Sequence, residues 1–346
     1  MRADQQSMRR GAFAAPLAAF ISALATCAPA SAPALRPTPE PAGAHAPAPA
    51  TATATATATA PATATATATA TGTATATAGE HAKELPRGGR TLFPDYRLVG
   101  FCGTPGAPKL GELQGNLPAK AKALEARAAQ YAQNRKILPV FELIAVVVQG
   151  WPGADGKYRR RVDDSVVDEY LRAARESRAL LFLNIQPGQS DFLTEVKTFE
   201  TYLREPDVGV ALDPEWAMKP KQKPGQFYGQ TTGATVNEVA AYLSSLVDQY
   251  RLPEKALVFH EVVRQVIRDE TSITPYPGVA LIKSVDGLGP VHAKMATYVN
   301  LMERSAAGVH PGFKLFFDED TRNGHRIMTA KEVLALSPQP EYVMFE

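Results

Sequence analysis

Cysteine is almost absent, with two residues in 346. That scarcity excludes a disulfide scaffold and a metal site built from four thiolates. A surplus of one charge is missing too, because 37 Lys and Arg stand against 35 Asp and Glu. The overall charge balance implies no Lys/Arg-rich face of the kind phosphate binding requires, so nucleic acid is not an expected partner. The run Arg159-Arg160-Arg161 reads as a solvated loop. No GxGxxG follows the first strand-like segment, and there is no GxSxG, HExxH or His-x-His. Dinucleotide binding, a serine nucleophile elbow and the common zinc hydrolases are thereby disfavoured, and no cofactor is expected. Cys102 has no base beside it in sequence.

Large apolar side chains are scarce between Leu35 and Arg90, and ten of the 28 prolines fall in the first 90 residues. Residues 51–78 comprise 13 Thr, 13 Ala, one Pro and one Gly, nearly all in alternation. Such a stretch cannot bury enough apolar surface to offset its ordering entropy. It is expected to form a disordered stalk over 33–90, open to O-glycosylation. Ahead of it, Arg2, Arg9 and Arg10 precede an apolar run from Gly11 to Leu24, the order of an export signal over 1–32 and too short to span a bilayer. Leu24-Ala25-Thr26-Cys27 resembles a lipobox, which makes Cys27 a candidate for lipidation and the lipid the only expected membrane contact. Ala28-Pro29-Ala30 and Ala30-Ser31-Ala32 suit soluble secretion instead. Either way the expected location is extracellular or the cell envelope.

Seven of the basic and four of the acidic residues lie in 1–90, leaving 30 against 31 in residues 91–346. There, short apolar runs alternate with helical stretches. Eight runs read as strands: 98–102, 140–148, 180–185, 208–212, 257–262, 279–285, 313–317 and 342–345. Helices are expected at 117–134, 165–177, 192–204, 236–250, 263–269, 291–304 and 330–336. The count predicts a monomeric (β/α)8 TIM barrel, with a doubly wound open sheet as the alternative.

In such a barrel the active site gathers where strands end. The predicted strand ends are polar: Asn184 and Gln186 after the third, Asp213 and Glu215 after the fourth, His260 and Glu261 on the fifth, Asp286 after the sixth, Asp318 after the seventh. The strand starts are apolar. Asp213 and Glu215 share a face with Gly209 and Ala211. A like-charged, buried neighbour raises a carboxyl's pKa, and a pair of acids flanking a glycosidic bond is what glycan hydrolysis needs. Glu215 is the candidate acid, Asp213 its partner, and Asp318 or Asp286 the second carboxylate. Trp216 and Tyr228 could stack against sugar rings, with Asn184, Gln186, His260 and Glu261 as further ligand contacts. Each has a structural reading as well: Asp213 before Pro214 suits a turn, His260 suits a hydrogen-bonded core position, and Asp318 suits a solvated acidic turn. Glu142, inside an apolar run, needs a partner, for which Lys314 is the expected choice. Asp213, Glu215, His260, Asp286 and Asp318 would also suit a metal-dependent hydrolase, but without paired histidines no metal ion is expected.

The blocks at 152–158, 211–216, 286–289 and 314–318 resemble those of an uncharacterised family of secreted bacterial proteins, often lipoproteins, with a glycoside-hydrolase-like TIM barrel. The likeness spans residues 98–346. It implies the fold and export, and a carbohydrate or small-molecule ligand. At the fifth strand the family tends to have His-Gln where this chain has His260-Glu261. In the retaining barrel glycosidases the acid/base follows strand 4 and the nucleophile strand 7, positions that Glu215 and Asp318 match. A non-catalytic surface binder on the same fold is the alternative.

Overall fold

A computed structural model describes residues 83–346. The export signal, Cys27 and most of the stalk lie outside the described residues. Eight strands alternate with helices: β1 (Tyr96–Gly103), α1 (Leu117–Ala128), β2 (Lys136–Val148), α2 (Asp164–Glu176), β3 (Leu180–Ile185), α3 (Phe192–Lys197), α4 (Glu200–Leu203), β4 (Val208–Leu212), α5 (Gly233–Tyr250), β5 (Lys255–Glu261), β6 (Val279–Val285), α6 (Val291–Met302), β7 (His310–Leu315), α7 (Ala330–Leu334) and β8 (Tyr342–Phe345). Each strand pairs parallel with the next, and β8 pairs with β1, which also pairs with β2. The sheet is closed. The chain is a (β/α)8 barrel.

Closure divides each strand's residues between two cores. Leu98, Val140, Phe182, Ala211, Val258, Ile282 and Met344 face inward and fill the barrel. Their neighbours Val99, Phe141, Leu181, Val210, Leu257, Leu281 and Val343 face outward and pack under the helices. Gly209 is required because a Cβ there would stand 2.9 Å from the Phe182 ring. The helices begin at caps that the sequence supplies: Asn116 Oδ1 accepts from Ala119 N, Thr232 Oγ1 from Thr235 N, and Thr329 with Glu332 closes a capping box.

Two predicted helices differ. The stretch 192–204 is split into α3 and α4, where Thr198 Oγ1 donates to the Glu195 carbonyl and Phe199 turns into the core. The stretch 263–269 is no helix. It is a 3-10 turn at Arg264–Val266 followed by the two-residue strand Ile267–Arg268, paired to Thr231–Thr232. Val262, Val263, Val266 and Ile267 are β-branched, and such residues favour extended backbone over helix. Residues 83–90, which composition groups with the stalk, lie against the barrel. Leu85 and Leu92 join the inner core at the end where the strands start, and Tyr96 donates to the carbonyls of Arg87 and Gly88.

Arg159–Arg161 forms a short strand antiparallel to the end of β2. Arg159 and Arg161 are clamped on Glu195, which is fully buried, so these two are structural rather than part of a freely solvated loop, while Arg160 between them is exposed.

Candidate functional site

Inward-facing positions turn polar toward the carboxyl ends of the strands, where Cys102, Glu142, Asn184, Asp213, His260, Asp286 and Lys314 are buried, and the hydroxyl of Tyr342, the first residue of β8, joins them. Asn184 Nδ2 donates to Glu142 Oε1 at 2.9 Å and to Asp213 Oδ1 at 3.2 Å. Gln186 Nε2 donates to Asp213 Oδ2 at 3.0 Å, while its Oε1 accepts from Val148 N. His260 Nδ1 lies 2.8 Å from Asp286 Oδ2, and Nε2 lies 3.2 Å from Glu142 Oε1 without the alignment of a hydrogen bond. Ser284 Oγ donates to Asp286 Oδ1 at 2.7 Å, and the Tyr342 hydroxyl donates to Glu142 Oε2. Lys314 Nζ stands 2.6 Å from Glu346 Oε2 and 3.5 Å from Asp286 Oδ2. The expected Glu142–Lys314 pair is therefore replaced. Glu142 bonds to Asn184 and Tyr342 beside His260, and Lys314 bonds to Glu346.

Above this network lies a cavity of about 40 Å³. At ~10–15 Å³ per water, it holds about three waters, so only a small part of a ligand can enter its closed end. Val147, Val148 and Gln149 wall it on the β2 side and Gln186 on the β3 side. Asp213, Glu215 and Trp216 follow β4; Asp286 and Leu288 follow β6; Lys314, Phe316 and Glu319 come from β7 and its loop; Glu346 follows β8. Lys109, Leu110 and Trp151 stand at its outer edge, Trp151 being 36% exposed. A register shift in β2 between Ile144 and Val146 lies just before the cavity wall, a common place for bulges beside sites.

Glu215 sits in the 3-10 turn Pro214–Trp216, only 4% exposed. Its carbonyl accepts from Gly229 N at 2.6 Å, an approach that needs glycine because a Cβ would meet Ala217 N at 2.4 Å. Its Oε2 is buried with no hydrogen-bond partner.

The electrostatics follow from counting charges in a dry space. Burial alone would lower the His260 imidazole, yet Asp286 and Glu142 overcome it and hold the ring well above its ordinary value. Burial likewise opposes the Lys314 ammonium, and Glu346 and Asp286 raise it well above normal. With those two cations present, Glu142 is held down at about 2 and Asp286 below its usual range, despite burial. Glu142 and Asp286 use up the compensating charge. Burial therefore raises Asp213 and Glu346, and raises Glu215 most, with Asp213 and Asp286 repelling its anion further. Glu215 is thus pushed toward its protonated form and Asp286 toward its ionised form. Environments that separate two carboxyls in this way are the usual basis of acid and base roles.

Of the residues expected from sequence, Asp213, Glu215, Trp216, Asp286 and Gln186 line the cavity, and Asn184 and His260 support them from beneath. Tyr228 is half-buried near Glu215 rather than on the cavity wall; burial and the Glu215 charge push its phenol up to about 12. Asp318 is not brought to the site. Strand β7 ends at Leu315, and Asp318 is exposed in the turn that follows, so the inward position at this strand end belongs to Lys314. Glu261 points the other way, outward from β5, because inward positions on that strand are Ala256, Val258 and His260. It pairs with Lys283 Nζ at 2.6 Å, which also holds Glu270 at 2.6 Å. Sequence reasoning missed Glu346, Tyr342, Ser284 and Trp151. The first three are legible by phase, since 342, 344 and 346 alternate inward, as do 280, 282 and 284.

Among the described residues no group of three or more His, Cys, Asp or Glu is arranged to hold a metal ion. No helix there is long and apolar enough to cross a membrane. No protein-family model matches the chain, and no curated protein is found similar to it.

Proposed function

We propose that the barrel binds a glycan and hydrolyses it, with Glu215 as proton donor, Asp286 as the ionised carboxylate, and Asp213 tuning Glu215. One observation carries the reading: a buried Glu215 with an unpartnered oxygen, its carboxyl pushed well above the usual range, lines the same cavity as Asp286, which is held below that range, beside two tryptophans. Leaving-group departure from a sugar needs a proton donor that is still charged with its proton at neutral pH. Indole faces suit the apolar faces of sugar rings. The reading extends to the cell surface, supported by an N-terminal stretch that resembles an export signal and by Cys27 in a lipobox-like context that suits a lipid anchor.

The experiment is a screen of the full chain against peptidoglycan fragments and plant and microbial polysaccharides, with Glu215→Gln and Asp286→Asn beside it. Hydrolysis lost in both variants supports the assignment; hydrolysis retained in both overturns it.

A second reading, a glycan binder without catalysis, has its own support. Both oxygens of Asp286 already accept hydrogen bonds, from His260 and Ser284. Binding without turnover of any bound polysaccharide would favour it.

A further inference from the structure

The loops after β2, β3 and β4 are joined into one rim. Met218 N donates to Gly188 O at 2.7 Å, and Val148, Trp216 and Met218 pack together at the cavity edge. Gln189 ties the rest: its N donates to Lys157 O at 2.7 Å, and its Nε2 donates to Gln222 O at 2.7 Å. Lys157 and the segment Lys219-Pro220-Lys221-Gln222-Lys223 thus meet on one residue.

These four lysines are exposed, and they differ from the arginines next to them. Arg159 and Arg161 are ion-paired with Glu195, and Asp155 is taken by Arg159. Among the described residues, Lys157 Nζ meets only the Gln189 carbonyl at 3.4 Å, Lys219 Nζ meets only the Gln230 amide oxygen at 3.3 Å, and neither Lys221 nor Lys223 is ion-paired. In a fold of near-neutral net charge, that leaves four uncompensated cations in one place. The same loops carry Trp151 and Phe227, which are 36% and 54% exposed.

We propose that this rim binds an acidic polysaccharide, its anionic groups on Lys157, Lys219, Lys221 and Lys223 and its sugar faces on Trp151 and Phe227. The inference rests on reading the adjacent cavity as a glycan site and names the class of glycan. The cavity's own carboxyls repel an anion, so the charged units belong on the rim and an uncharged linkage faces Glu215. Lysines acting as point charges serve carboxylates and phosphodiesters alike.

Binding is measured with the full chain carrying Glu215→Gln, so that turnover does not consume the probe. The probes are polygalacturonate, a phosphodiester-bearing phosphomannan, neutral dextran and single-stranded DNA, at ~0.15 M and ~1 M salt. The expected result is binding of one or both anionic glycopolymers above dextran, weakened at high salt. The triple variant Lys219→Ala, Lys221→Ala, Lys223→Ala should weaken it about threefold or more, since each exposed pair contributes a factor of about 1.4 to 5. The triple Lys→Arg variant should restore it, with an unchanged melting temperature in both. Which polymer binds tells carboxylate from phosphodiester. Equal binding by the alanine variant, no binding above dextran, or binding of DNA alone overturns the proposal. Rim binding that persists while the unsubstituted chain hydrolyses no glycan rejects the catalytic reading and keeps the rim.

Discussion

His260 Nδ1 lies 2.8 Å from Asp286 Oδ2, and the same ring faces Glu142 at 3.2 Å, so one buried imidazolium compensates two carboxylates, one following the adjacent strand β6 and one on β2 across the barrel. All three side chains are buried. The His260 ring holds the charge pattern on which the cavity depends.

Replacing His260 with Leu would leave Glu142 and Asp286 in the barrel without their shared cation. Breaking a buried pair in this way costs about 3–5 kcal/mol. Chemical denaturation at neutral pH should show a loss of that order; a loss under ~1 kcal/mol, typical of exposed pairs, would show that the imidazolium is not the compensating charge.

The pH dependence of stability carries the same signature. Glu142 is depressed from 4.5 to about 2 in the folded barrel. A depressed carboxyl contributes stability that is present above its unfolded value and is lost as pH falls through the folded one. Stability should therefore decline between pH 4.5 and 2, and Glu142→Gln, less stable throughout, should show a shallower decline in that window. An unaltered slope in the variant would remove Glu142 as the source.

Glu215 is predicted to titrate well above the ordinary carboxyl range, because burial and the Asp213 and Asp286 charges disfavour its anion. Its protonated C=O stretch should persist in difference infrared spectra above the normal carboxyl range and vanish in Glu215→Gln. Asp213→Asn, which removes a repelling neighbour, should shift its titration downward. Complete ionisation of all carboxyls by pH 6 would contradict the assignment.

On the outer face of β5, burial outweighs the attraction of Lys283 and places the Glu261 carboxyl at about 7, with Glu270 adding repulsion. A raised carboxyl favours the folded state below its unfolded pKa, and that advantage is lost as pH rises through the folded value. Glu261→Gln should thus be more stable relative to the parent at pH 8 than at pH 5. Equal differences at both pH values would show that Glu261 titrates normally.

Much of the barrel was legible along the chain. The runs 180–185, 208–212, 279–285 and 342–345 coincide with strands because β-branched and aliphatic residues, buried on both faces, mark parallel strands directly. Asp213, Glu215 and Asp286 were legible because alternation carries an inward phase past the last apolar residue. That logic failed at Asp318, where it assumed that β7 continues to residue 317. The strand stops at Leu315, the Asp320 carboxylate accepts from Phe316 N, and the turn carries Asp318 into solvent. It failed at Glu261 for the opposite reason, since adjacency to His260 in sequence means the opposite face in a strand.

The sequence by itself determined the eight-unit plan, the polar strand ends and the compositional break at the stalk, because each is written in local composition and in a period of two or 3.6. Which carboxyl keeps its proton, and which cation serves which anion, was decided only by the tertiary structure. Closing the sheet brings Glu142 to His260 and Tyr342, and Lys314 to Glu346, across sequence separations that no local pattern encodes. A buried charge is then governed by what lies within a few ångströms in a medium with little water, a matter of folded distance and not of residue type.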